Sequence, residues 1–86
     1  MKQIMELPYE ARYSLMERIF EYRRLRGVEG GVERLYRAYI LRDIAVRVVC
    51  YEGNGYDMSR VYDAIPELRK EVREGLQEKI RNNCWR

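Results

Sequence analysis

Fourteen arginines stand against three lysines in this 86-residue sequence, eight tyrosines accompany them, and histidine and threonine are absent. Arginine presents a planar fork of five donors that grips phosphates and carboxylates bidentately and stacks on aromatic faces, which lysine cannot match. Tyrosine adds broad, rigid contact area at low entropic cost. These residue types predict binding and not catalysis. A GC-rich genome or a hot habitat raises Arg, Glu and Tyr together without any binding role, so composition alone does not assign a partner.

Most catalytic templates are excluded by what is missing. Without histidine there is no Ser-His or Cys-His nucleophile pair, no HExxH metal helix and no ordinary proton shuttle near neutral pH. Cys50 and Cys84 have no second Cys or His near either, so no zinc spacing can be assembled. The expectation is two unpaired thiols in a reducing cytosol, with a Cys50 to Cys84 disulfide as the alternative inside a hyperthermophile. Cys50 sits among Val48, Val49 and Tyr51, a setting for an inert thiol. Asp43, Asp57 and Asp63 could pair with glutamates for acid and base work. Asp57 and Asp63 bracket Ser59, however, where capping and the helix dipole explain acidic residues. Gly53-Asn54-Gly55 is too short for a phosphate-binding loop and reads as a plain turn. No catalytic residue, metal or cofactor is expected, and the chain does not read as an enzyme.

The arginines cluster around one turn. Arg23, Arg24 and Arg26 crowd the end of a first helix, and Arg34, Arg37 and Arg42 span an arc of about 140° on a second, with Ala38 and Ala45 between them. Helix, turn and arginine-bearing helix follow in the order of a helix-turn-helix. The expected function is a small regulator-like protein that binds duplex DNA, one cluster on phosphates and the next helix in the major groove. Arg60, beside Tyr62, belongs to a second candidate reader. The net charge of +3 and pI near 9.0 are mild, so this expectation rests on clustering. The alternative is a protein-interaction or scaffold module of an intracellular assembly, its arginines paired with Glu29, Glu33 or a partner helix and their stems covering apolar surface.

The elements that must position these residues form one domain, 1–86, of all-α class. Pro8 and Glu10 suit the start of a first helix over Tyr9 to Arg26, whose stripe is Ala11, Leu15, Met16, Ile19, Phe20 and Tyr22. The stretch from Gly27 to Gly31 predicts a turn. The second apolar segment, Val32 to Tyr51, is hydrophobic nearly all the way round, which predicts a central, buried helix. So short a chain has few neighbours to cover that helix, so a homodimer is expected. The β-branched run Ile44 to Val49, followed by Glu52 to Gly55, offers an α+β alternative with a short hairpin around residues 45–58.

A third helix starts near Ser59 and is broken near Pro66. Its stripe is Val61, Tyr62, Ile65, Leu68, Val72, Leu76 and Ile80, and Lys70 with Glu74 and Glu78 with Arg81 mark a solvated side. Asn82 and Asn83 end it, and Trp85 either packs back on the core or stays exposed. No secretory segment or membrane span is read, which predicts a soluble, cytoplasmic protein.

Overall fold

Pro8 opens the first helix because its fixed φ suits that position and its missing N–H is not needed there. Its carbonyl accepts the Arg12 N–H at 2.9 Å. The computed structural model describes residues 1–76. A 3₁₀ turn, Ile4–Glu6, precedes α1 (Tyr9–Leu25), α2 (Gly31–Gly53), α3 (Ser59–Ala64) and α4 (Leu68–Lys70), and the last runs on as a π-helical stretch, Glu71–Leu76. The all-α class is thus observed. Among the described residues no strand occurs, and the Ile44 to Val49 run is helical: its β-branched side chains fill the core from inside α2, and burial overrides their propensity. The one extended pairing near the expected hairpin is an isolated bridge between Lys2 and Tyr56. Lys2 donates to the Gly55 carbonyl at 2.9 Å and accepts from the Asp57 N–H at 2.7 Å, which ties the start of the chain to the α2–α3 turn.

Helices α1 and α2 lie side by side and antiparallel. Arg18 Nε donates to Asp43 Oδ2 at 3.0 Å, and near the turn Arg37 reaches the Leu25 carbonyl at 3.2 Å, so the two helices stay in contact over several turns. Gly27 permits the reversal with φ +87°, a region that costs residues with a Cβ. The core between the helices is Leu15, Ile19 and Tyr22 against Ile40, Ile44 and Val48, closed by Met58, Val61, Ile65 and Leu68. Each such aliphatic side chain contributes about 1.5–3 kcal/mol by leaving water.

Two expectations need correction here. The stripe on α1 is narrower than the sequence suggests: Leu15, Ile19 and Tyr22 are buried, whereas Met16 and Phe20 stand outside. On α2 only the C-terminal half is central. Ile40, Ile44, Ala45 and Val48 are buried, but every residue from Gly31 to Tyr39 is exposed apart from a half-buried Arg37.

At the third helix Pro66 has the predicted effect. Helix α3 ends at Ala64 and helix resumes at Leu68, with the Leu68 N–H bonded to the Ile65 carbonyl. Ser59 is the first helical residue and not the cap. The Asp57 carboxylate accepts the Ser59 N–H at 3.0 Å, and that bond holds the Asp57 carboxyl below its ordinary value. The expectations for Glu78, Ile80, Arg81, Asn82, Asn83, Cys84 and Trp85, and the disulfide, lie outside the described residues.

Candidate functional site

The seven arginines read as a nucleic-acid surface do not form one face. Three are engaged in the fold. Arg26 Nη2 lies 3.3 Å from Glu67 Oε1, with its guanidinium over the Tyr22 ring. Arg37 Nη1 donates to the carbonyls of Leu25 and Val28 at 3.2 and 3.5 Å, bracing the α1–α2 turn. Arg42 Nε pairs with Glu71 Oε2 at 3.1 Å, tying the π-helical stretch to α2. The arc that joins Arg34, Arg37 and Arg42 on an isolated helix is divided by these attachments, because Glu71 approaches one side of α2 and the turn folds over the other. Of the expected partners, Glu29, Glu33 or a partner helix, Arg42 takes the last: Glu71, 29 positions on, belongs to the helical stretch packed against α2.

Arg23, Arg24, Arg34 and Arg60 are exposed and make no ion pair among the described residues. They divide between places. Arg34 joins Arg26 and Arg37 around a recess of about 410 Å³ at the turn, where Glu29 and Glu67 offset part of the charge. Arg23 and Arg60 line a separate groove between α1 and α3. Helix, turn and arginine-bearing helix follow in the expected order, and the Arg18–Asp43 and Arg37–Leu25 contacts run antiparallel between α1 and α2.

The buried polar bonds all have structural partners. Tyr22 donates to Glu67 Oε2 at 2.8 Å and Tyr62 donates to Glu52 Oε1 at 3.0 Å. Burial first, and the bonded carboxylate second, pushes each phenol up to about 12. For Glu67, burial acts against the charged form, but bonds from its own backbone, Tyr22 and Arg26 together hold the carboxyl below its ordinary value. Burial likewise opposes the charge on Arg18, and Asp43 and Glu21 outweigh it and raise its pKa. Among the described residues no buried side-chain nitrogen or oxygen lacks a partner, and no group of three or more His, Cys, Asp or Glu is placed to share a metal ion. Cys50 is a half-buried free thiol.

What sequence reasoning missed is apolar. Tyr9, Tyr13, Met16 and Phe20, together with Met5, form an exposed stripe along α1, about 120° round from the core stripe by the 3.6-residue period. It borders an open groove of about 430 Å³ against Val61 and Ala64. On α2, Val32, Leu35, Tyr36 and Tyr39 are exposed where its N-terminal half runs beyond the core; Leu35 and Tyr39, at 74% and 71%, face away from Ile40, Ile44 and Val48, whereas Tyr36 shares a face with Ile40 one turn on. Leu35, Ala38, Tyr39 and Val46 line a shallow recess beside the Arg42–Glu71 pair. The signal was present as spacings of four, three and four from Tyr9 to Phe20. It overlapped the core stripe, and one broad apolar face could not be told from two.

No helix of the described chain is long and apolar enough to cross a membrane. In comparisons with protein-family models, curated proteins and solved structures, nothing matches this chain.

Proposed function

We propose that this chain is a non-catalytic protein-interaction module that pairs with a second copy of itself through α2. One observation carries the reading: Val32, Leu35, Tyr36 and Tyr39 expose an apolar face on the N-terminal half of α2, where the helix runs beyond its own core. Exposed apolar patches of this kind mark interaction sites. The face is self-complementary. With a twofold axis between Leu35 and Tyr36, an antiparallel pair of α2 helices sets Val32 against the partner's Tyr39 and Leu35 against the partner's Tyr36.

These side chains offer roughly 500 Å² per protomer, taking ~150–250 Å² for a fully exposed aromatic. The pair therefore buries about 1,000 Å² from them alone, the lower bound for a specific interface. A dimer of micromolar strength is expected, in a reducing cytoplasm where Cys50 stays free. Sedimentation equilibrium across the micromolar range tests this. Wild-type protein should populate a dimer, and Leu35→Glu with Tyr39→Glu should give a monomer of unchanged helix content. A wild-type monomer at every accessible concentration would overturn the reading.

A second reading, duplex nucleic acid as the ligand, is favoured by one observation of its own: Arg23, Arg24, Arg34 and Arg60 are exposed without an acidic partner among the described residues. Binding of a labelled duplex should then weaken at least tenfold between low and physiological salt. Arg23→Ala with Arg34→Ala should weaken it far more than Arg73→Ala. Equal losses, or no binding at low salt, would remove this reading.

A further inference from the structure

The groove between α1 and α3 is independent of the α2 face and has a different character. Its floor is the buried pair Ile19 and Val61, and its α1 wall is the exposed stripe from Tyr9 to Phe20, the latter 61% exposed. Three cations stand on its edge, Arg12, Arg23 and Arg60, and among the described residues no acidic one lines it. Arg12 is fixed in place: its Nη1 donates to the Met5 carbonyl at 2.8 Å and its guanidinium lies over the Tyr9 ring. Arg23 and Arg60 make no ion pair among the described residues.

From this charge pattern we propose that the groove takes up an amphipathic helix of a partner protein, its apolar face against the α1 stripe and its flanks acidic. Sign and length both select this occupant. Tyr9 and Phe20 are eleven positions apart, as are Arg12 and Arg23, so the apolar stripe and the pair of α1 cations each run about 16 Å, the length of a three-turn helix. Arg60 on α3 supplies the cation of the opposite wall. A helix laid in such a groove is read through anchors at i, i+4, i+7 and i+11, and Met5 and Met16 adapt to their shape. Segment 77–86 of this chain has the wrong sign for the site, with Lys79, Arg81 and Arg86 against Glu78.

The test uses two labelled 16-residue synthetic peptides with leucine at those four anchor positions, one with glutamate and one with lysine at the flanks. The acidic peptide should bind the full chain with micromolar affinity, and the lysine peptide at least tenfold more weakly. Arg23→Glu with Arg60→Glu, both exposed positions, should reverse that order while leaving the circular dichroism spectrum unchanged. Phe20→Ser should weaken the acidic peptide severalfold. Amide shifts should fall on Tyr13, Phe20 and Val61. Equal affinity for the two peptides, an unchanged order in the double variant, or shifts confined to Leu35 and Tyr39 on α2 would overturn the proposal. So would a duplex DNA that occupies the groove when neither peptide binds.

Discussion

Tyr22 of α1 donates its hydroxyl to Glu67 at 2.8 Å, a bond across 45 positions that fixes the start of α4 against the first helix. Arg26 holds the same carboxylate from the other side at 3.3 Å. The Tyr22 side chain is only 4% exposed, so its hydroxyl is poorly placed to regain water if Glu67 is lost. Glu67 is partly exposed and can be rehydrated if the hydroxyl is lost. The two deletions are therefore unequal. Tyr22→Phe should cost about 1 kcal/mol, and Glu67→Leu about 2 kcal/mol, because the latter strands a buried donor and a guanidinium together. Urea denaturation of both variants and the double variant measures this, and the double should cost less than the sum.

The same bonds set a pH window. Tyr22 and Tyr62 titrate near 10 in an unfolded chain and near 12 here, so the folded state keeps both protons where the unfolded state loses them. Their contribution to stability is complete below pH 10 and is lost as pH rises from 10 to 12. Glu67 runs the other way: its carboxyl lies below the ordinary 4.5, so its contribution is complete above that value and lost as pH falls through the lower folded one. Denaturation midpoints from pH 3 to 12 should show both losses. Tyr22→Phe should reduce the alkaline and the acid losses together, since it removes one phenol and one support of Glu67. Phenolate absorbance should show two late-titrating tyrosines in the native protein.

Arg34 and Arg37 are neighbours on one turn of α2 and have opposite roles. Arg37 Nη1 holds the carbonyls of Leu25 and Val28, which close the α1–α2 turn, whereas Arg34 is exposed and makes no ion pair among the described residues. Arg37→Ala should destabilise by about 1–2 kcal/mol, as expected for charge-assisted bonds to backbone. Arg34→Ala should stay within about 0.5 kcal/mol of wild type. Thermal unfolding of the two variants separates them, and equal shifts would remove the bracing role of Arg37.

The helices were legible because their signals are local. Pro8, Gly27 and Pro66 punctuate the backbone wherever tertiary context leads, and the spacing of Leu15, Ile19 and Tyr22 needs only the helical period. The binding surfaces were not, because they depend on which apolar residues other elements leave uncovered. Phe20 and Ile19 are adjacent and equally apolar in sequence, yet one is open and the other buried, and only the packing of the other helices against α1 decides between them. The arginines misled for a similar reason. Arg37 and Arg42 are spent on a carbonyl pair and on Glu71, partners that sequence spacing cannot supply.

Gly53 and Gly55 allow a signed test of the turn that follows α2. Gly53 is the last residue of α2 and an added Cβ there meets nothing within 4 Å, so Gly53→Ala gains helix propensity and loses unfolded-state freedom. Stabilisation by about 0.5–1 kcal/mol is expected. Gly55 has as much open space, but its φ of +89° lies where a Cβ costs about 1–2 kcal/mol. Its carbonyl also receives the Lys2 N–H, so a shift that relieved the strain would loosen the clasp on the chain start. Gly55→Ala should therefore destabilise by about 1–2 kcal/mol. Paired denaturation curves should move in opposite directions. Two shifts of the same sign would mean that the turn does not hold Gly55 in the left-handed region, and that the Lys2 to Tyr56 bridge is not what anchors it.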